Sequence, residues 1–461
     1  MTKSFLISVA AFLVCFTAEA SDFVVTDYGV RADSMDVQTK GIQTAIDDCA
    51  SKGGGRVVVP AGKYLTGEII LRSNVEFYLD AGAVLLGSRN LSADYPMQPR
   101  NVFRSLKDTK GWNALIFAAD AKNISVTGQG MIDGRGRGAR GWLQDVAGDA
   151  NGRPKNILFV SCSNVCIENI SMCNSAMWNI HLLNCDNVRV RGLNIYNHCN
   201  GNNDGIDIDC CRRVTIADCI IDSDDDGIVL KATGKGDCRD ITISNCIVSS
   251  YANAIKLGTE TTGDFRNICV TGCVITPSRS KDDRILKSTP SGITALSIEM
   301  TDGGTVDGVS INNVVIRGTE CPLYVRLANR ARKHIPEATE PSIGAMRNIF
   351  ISNVTAYETG NFCSSITGID SAHIQNVCLS NVRFENKGNL KWGDYIAESK
   401  DVVADEKGYP QPTVWGNLPA RGLFIRNVDG ITLSNVSFSS IANDPREAII
   451  TDKVTGFVIH N

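Results

Sequence analysis

Three aspartates are spaced for acid–base work. Asp204 is followed 21 residues later by the doublet Asp225-Asp226. Acidic groups crowded together repel, which raises one carboxyl's pKa while a neighbour stays ionised. Hydrolysis of a glycosidic bond needs that division, one group giving a proton and another activating water. An Asp-Gly pair alone, such as Asp204-Gly205 or Asp226-Gly227, is an ordinary turn, and Asp222 and Asp224 read as structural. Aspartates on an exposed strand face also suit calcium. Two acidic turns in corresponding places carry the chemical reading.

That correspondence comes from a repeat. Asn164-Val-Cys-Ile-Glu-Asn-Ile170 recurs as Asn187-Val-Arg-Val-Arg-Gly-Leu193, Arg213-Val-Thr-Ile-Ala-Asp-Cys219 and Asp240-Ile-Thr-Ile-Ser-Asn-Cys246. Later copies start at Asn267, Gly308, Asn348, Asn376 and Gly430. Apolar residues alternate, the strand period, and a polar residue then turns the chain. Short strands repeating every 23 to 27 residues predict an all-β, single-domain right-handed parallel β-helix over 21–461. Each coil buries its inward residues on the next. Ile42, Ala45, Ile46 and Cys49 fall at helical spacing before Gly53-Gly54-Gly55, predicting a short N-terminal capping helix. The longer gaps from 267 to 308 and from 308 to 348 predict projecting loops, where function tends to sit.

Strand segments beginning at Asp204, Asp226, Asn253 and Thr294 align by their inward apolar pairs. Residues in one register then stand about 4.8 Å apart from rung to rung. Ile206, Ile228, Ile255 and Leu296 form an inward column. Asp207, Val229, Lys256 and Ser297 form one exposed outward column, and Asp209, Lys231, Gly258 and Glu299 a second. Asp204 stands beside Asp226.

Residues 1–20 read as an export signal, with Lys3, an apolar stretch from Phe5 to Phe16 and Ala18-Glu19-Ala20 before Ser21. The expected location is secreted or periplasmic. The stretch is too short to span a bilayer. A net charge of -4 gives no case for nucleic acid. Sixteen cysteines follow the leader; Cys173, Cys219, Cys246 and Cys273 are placed at one point of the repeat, which predicts a column of buried free thiols rather than disulfides. No Cys-x-x-Cys pair occurs, and neither metal nor cofactor is expected. The expected partner is a polysaccharide or oligosaccharide, bound by a monomer.

Nearly all of the mature chain resembles glycoside hydrolase family 28, the polygalacturonase-type enzymes. The likeness runs through Asp27-Tyr-Gly-Val-Arg-Ala-Asp33, Gly128-Gln-Gly-Met-Ile-Asp-Gly134 and Trp178-Asn-Ile-His181. Asn202-Asn203-Asp204 is similar to the family's Asn-Thr-Asp, and Asp225-Asp226 to its Asp-Asp. The resemblance implies an inverting hydrolase of a pectic polysaccharide, with Asp225 as general acid and Asp204 and Asp226 activating water. Two motifs are changed. Ala252-Asn253-Ala254 stands where the family has Gly-His-Gly, and Ser297-Ile298-Glu299 where it has Arg-Ile-Lys. Those cations hold a galacturonate carboxylate in the family, so an altered sugar subsite is expected. Its candidate residues are Asn202, Lys231, Asn253, Lys256, Glu299 and Arg326. The rival readings are a β-helix polysaccharide lyase and a non-catalytic carbohydrate-binding β-helix.

Overall fold

The computed structural model describes residues 22–95, 103, 113–138, 152–234, 236–281, 291–333 and 339–460. The expected export signal at 1–20, with its cysteine, lies outside the described residues. Among the described residues thirty-two strands form one continuous sheet wound into a right-handed parallel β-helix. Each strand pairs in parallel with the corresponding strand one coil away; Ile157, Ile180, Ile206, Ile228, Ile255, Leu296 and Leu323 are successive partners. A middle coil has three strands, Ile206–Asp209, Arg212–Ala217 and Ile220–Ser223. Their alternating apolar residues fill a single core that runs from Phe23 to Leu433.

The corners explain the repeat's polar positions. Asn164, Asn187 and Asn267 start their copies of the repeat with φ of 55°, 54° and 54°, and Gly308 and Gly430 hold the same place in theirs at 80° and 77°. Asparagine enters this left-handed region at lower cost than other side chains. Stacked corners also bond to each other, Asn187 to Asn164 at 2.7 Å and Asn164 to Asn123 at 2.8 Å. The helix Thr39–Ser51 buries Ile42, Ala45, Ile46 and Cys49 against the first strands. Among the described residues no helix is long and apolar enough to cross a membrane.

The thiol column needs correction. Cys219, Cys246 and Cys273 do stack, but Cys173 pairs with Tyr196 and Asp133 on another face. A second column, Cys162, Cys185, Cys211 and Cys238, was not foreseen. All sixteen described cysteines are free. The loops expected after 267 and 308 fall between coils, where the described residues 276–281, 291–293, 328–333 and 339–344 belong to no strand. A longer insertion, 387–419, joins the strands Ile374–Asn386 and Ala420–Ser440.

Candidate active site

One face of the coil collects the candidate residues. The strands Ile206–Asp209, Ile228–Ala232 and Asn253–Thr261 lie side by side there, and Asp207, Val229, Lys256 and Ser297 are successive partners as expected. Asp209 pairs with Lys231, but the register then slips so that Ala232 faces Thr261. Glu260, not Gly258, therefore stands against Lys231. These columns point outward from the coil yet are not exposed. Asp207, Asp209 and Glu299 have no accessible surface, and Lys231 keeps 4%.

The turns place the three aspartates. Gly205 donates its N–H to the Asp226 carbonyl at 2.9 Å, locking the two turns one rung apart. Ser223 Oγ and Ser250 Oγ donate to the Asp225 carbonyl at 2.9 and 2.6 Å, holding a bend in which Asp225 and Asp226 do not alternate as in a strand. Gly227 is required by packing rather than by φ, since a Cβ there would lie 2.4 Å from Val248 and 2.5 Å from the Ala254 carbonyl. Asp225 is the partly exposed member; Asp204 and Asp226 are buried.

Two lysines organise the carboxylates. Lys231 Nζ lies 3.3 Å from Glu260, 3.6 Å from Asp207 and 4.0 Å from Asp204, with the Trp178 ring 4.7 Å away. Lys256 Nζ lies 3.2 Å from Asp226 and 3.9 Å from Glu299. Asn253 completes the hold on Asp226, donating from Nδ2 at 2.7 Å and from its backbone N–H at 3.3 Å. Asn202 Nδ2 donates to Asp225 at 3.4 Å. Arg326 goes elsewhere. Its guanidinium donates to Thr367 and to the carbonyls of Ala404 and Asp405, and packs over Trp415.

Burial, more than mutual repulsion, sets the proton affinities. It pushes Asp225 up to about 7, helped by the adjacent Asp226 charge. Burial pushes Asp207 to about 8 and Glu299 to about 7, against the pull of their lysines. Asp204 is held well above the ordinary carboxylate range by burial and then by Asp207 and Asp225. Burial alone would lower both lysines, but the surrounding carboxylates outweigh it and hold each well above its ordinary value. An acid that keeps its proton near neutrality thus stands beside further buried carboxyl groups and two buried lysines.

Several neighbours escaped the sequence reading. Lys155 lies 2.8 Å from His181 Nδ1 and 4.9 Å from the Trp178 ring. Extending the Asp204 register two rungs toward the N-terminus would have found it. Arg153 Nη2 donates to Asn202 Oδ1 at 3.0 Å, steadying the residue that reaches Asp225. Tyr409, whose Oη accepts from Lys256 at 3.2 Å, sits in the non-repeating insertion and leaves no periodic signal. Asp222 fits its structural reading, bonded to His198 at 2.8 Å and to Ser278 at 2.6 Å.

The model of Glycosyl hydrolases family 28 matches residues 49–402. A probable polygalacturonase of Vitis vinifera is 32% identical over 45% of this chain, and the match spans 44% of that relative's own length. An endo-polygalacturonase of Pectobacterium carotovorum is 27% identical over 64% of this chain and 73% of the relative. The family 28 exopolygalacturonase of Yersinia enterocolitica superposes with a TM-score of 0.70 at 20% identity, covering 95% of this chain and 78% of the other. The last comparison establishes a common fold.

Proposed function

The chain belongs to glycosyl hydrolases family 28, and on that premise we propose that it hydrolyses a pectic polysaccharide outside the cytoplasm by an inverting acid–base mechanism. Asp225, partly exposed and protonated near neutrality, donates its proton to the glycosidic oxygen as the anomeric C–O bond breaks. Water attacks the opposite face and passes its proton to the Asp204–Asp226 pair. Three donors converge on Asp226, two from Asn253 and one from Lys256, which fixes the orientation of its carboxyl group.

The sugar unit bound beside these groups is proposed to be neutral, esterified or otherwise decorated. One observation carries this reading. The two lysines nearest the aspartates are already engaged by Asp204, Asp207 and Glu260 on one side and by Asp226 and Glu299 on the other. No bidentate Arg fork stands at Ser297 or Glu299 to hold a carboxylate, and Glu299 adds a like charge.

A panel of polygalacturonate, methyl-esterified pectin and rhamnogalacturonan fragments, followed by reducing-end release and product mass, tests this. Release is expected from decorated or neutral backbones and at least about a hundredfold more slowly from unmodified polygalacturonate. Asp225→Asn should remove the activity, by about a thousandfold. Brisk turnover of unmodified polygalacturonate would sink the altered subsite. Products carrying a new double bond would indicate a lyase, and binding without new reducing ends would make the site a recognition surface.

A further inference from the structure

Beyond the catalytic rungs the outward face is roofed. The insertion 387–419 leaves the coil near its C-terminal end and runs back over the rungs that carry Tyr324, Arg326, Phe424 and Arg426. It is fastened throughout. Arg426 donates to the carbonyls of Ser399 and Val402, and Arg326 to those of Ala404 and Asp405. Asn329 N–H donates to the Glu406 carbonyl at 2.9 Å, and Trp415 Nε1 to the Val403 carbonyl at 2.8 Å. Val402, Leu418 and Phe424 close an apolar cluster beneath it. Its tip, Tyr409, reaches Lys256, which itself contacts Asp226.

The wall therefore begins one rung past Asp226. Adjacent rungs are about 4.8 Å apart, so the outward columns leave room for about one or two sugar units between the aspartates and Tyr409. A polymer lying along the face cannot continue past them under a segment pinned by this many bonds. We propose that the site takes the end of a polysaccharide chain and releases one- or two-unit products, with the 399–411 strap and Tyr409 as the specificity-determining wall. This rests on the hydrolase reading above.

The test uses the full chain and whichever pectic substrate of the panel yields new reducing ends. Product masses are followed from the earliest time points, together with viscosity. The expected result is mono- and disaccharide from the start, while viscosity scarcely falls as reducing ends accumulate. Early appearance of longer oligosaccharides with rapid thinning would overturn the proposal and leave the hydrolase reading standing. Failure to release reducing ends from any pectic substrate would instead remove the hydrolase reading, and this one with it. Replacing residues 404–410 by a short Gly-Ser bridge, with folding verified by thermal unfolding, should let longer products appear. Tyr409→Ala, a single change at a half-exposed position, should do the same to a smaller extent. An unchanged product profile in both variants would dismiss the strap as the wall.

Discussion

The corners of the coil and its acidic face obey the same register and use it in opposite ways. At the corners, like stacks on like. Asn123, Asn164 and Asn187 share a left-handed backbone and each amide satisfies the next. On the acidic face, the column two residues ahead of the in-register isoleucines reads Lys155, Trp178, Asp204, Asp226, Asn253 and Thr294. No residue type there is repeated except the acid. Repetition lets every rung meet its neighbour's needs, so a corner can be exchanged for a neighbouring corner. The acidic face brings unlike charges into a buried layer, where removing any one of them strands the rest.

Breaking that layer should give the largest effect. Lys231→Met deletes the charge that faces Asp204, Asp207 and Glu260. The expected loss is about 3–5 kcal/mol of unfolding free energy at pH 7, measured in urea. Glu260→Gln in the same chain should restore part of it, because the acidic group nearest Lys231 Nζ, at 3.3 Å, is gone. A single-variant loss within the range of surface substitutions would show that the face is as tolerant as a corner.

The next effect is on rate. Asp225 holds its proton up to about 7 because burial disfavours its anion. Below that value the acid is ready; above it, hydrolysis should fall by about tenfold for each pH unit. Stability moves the same way. Asp225 and Glu299 both bind protons more tightly folded than unfolded, each reaching about 7. Their contribution is full at pH values below the ordinary carboxylate range and is lost as pH rises through about 7. An alkaline limb that lies well above 8 would assign the acid to another group.

How much of this was legible follows from the same contrast. The coil and the Asp204–Asp226 stacking could be read because they repeat, and the capping helix because its apolar residues keep the helical spacing; period is what a sequence displays most directly. Register alone did not reveal that Asp207 and Glu299 are buried, since burial of an outward column depends on what covers it. The slip that replaces Gly258 by Glu260 came from a local irregularity between Leu230 and Ala232, which breaks the period the alignment relied on. Arg326 was in the right column, but its partners lie in the insertion at Ala404 and Asp405. Tyr409 belongs to that insertion too, and no spacing ties it to Lys256.

The smallest expected effect probes the corners themselves. Asn187 has φ of 54° and donates from Nδ2 to Asn164 at 2.7 Å on an exposed edge. Alanine there keeps the Cβ but gives up both the local tolerance for left-handed backbone and the ladder bond. The cost should be about 1–2 kcal/mol. Glycine gives up the bond yet fits the backbone, as Gly308 and Gly430 do at equivalent corners, so Asn187→Gly should cost less than Asn187→Ala. Neither loss should vary between pH 5 and 8, because no titrating group is involved, whereas the loss in Lys231→Met should shrink as the acids around it take up protons. Equal pH sensitivity in the two variants would erase the distinction between corner and face. The urea midpoints of the two variants across that range measure it.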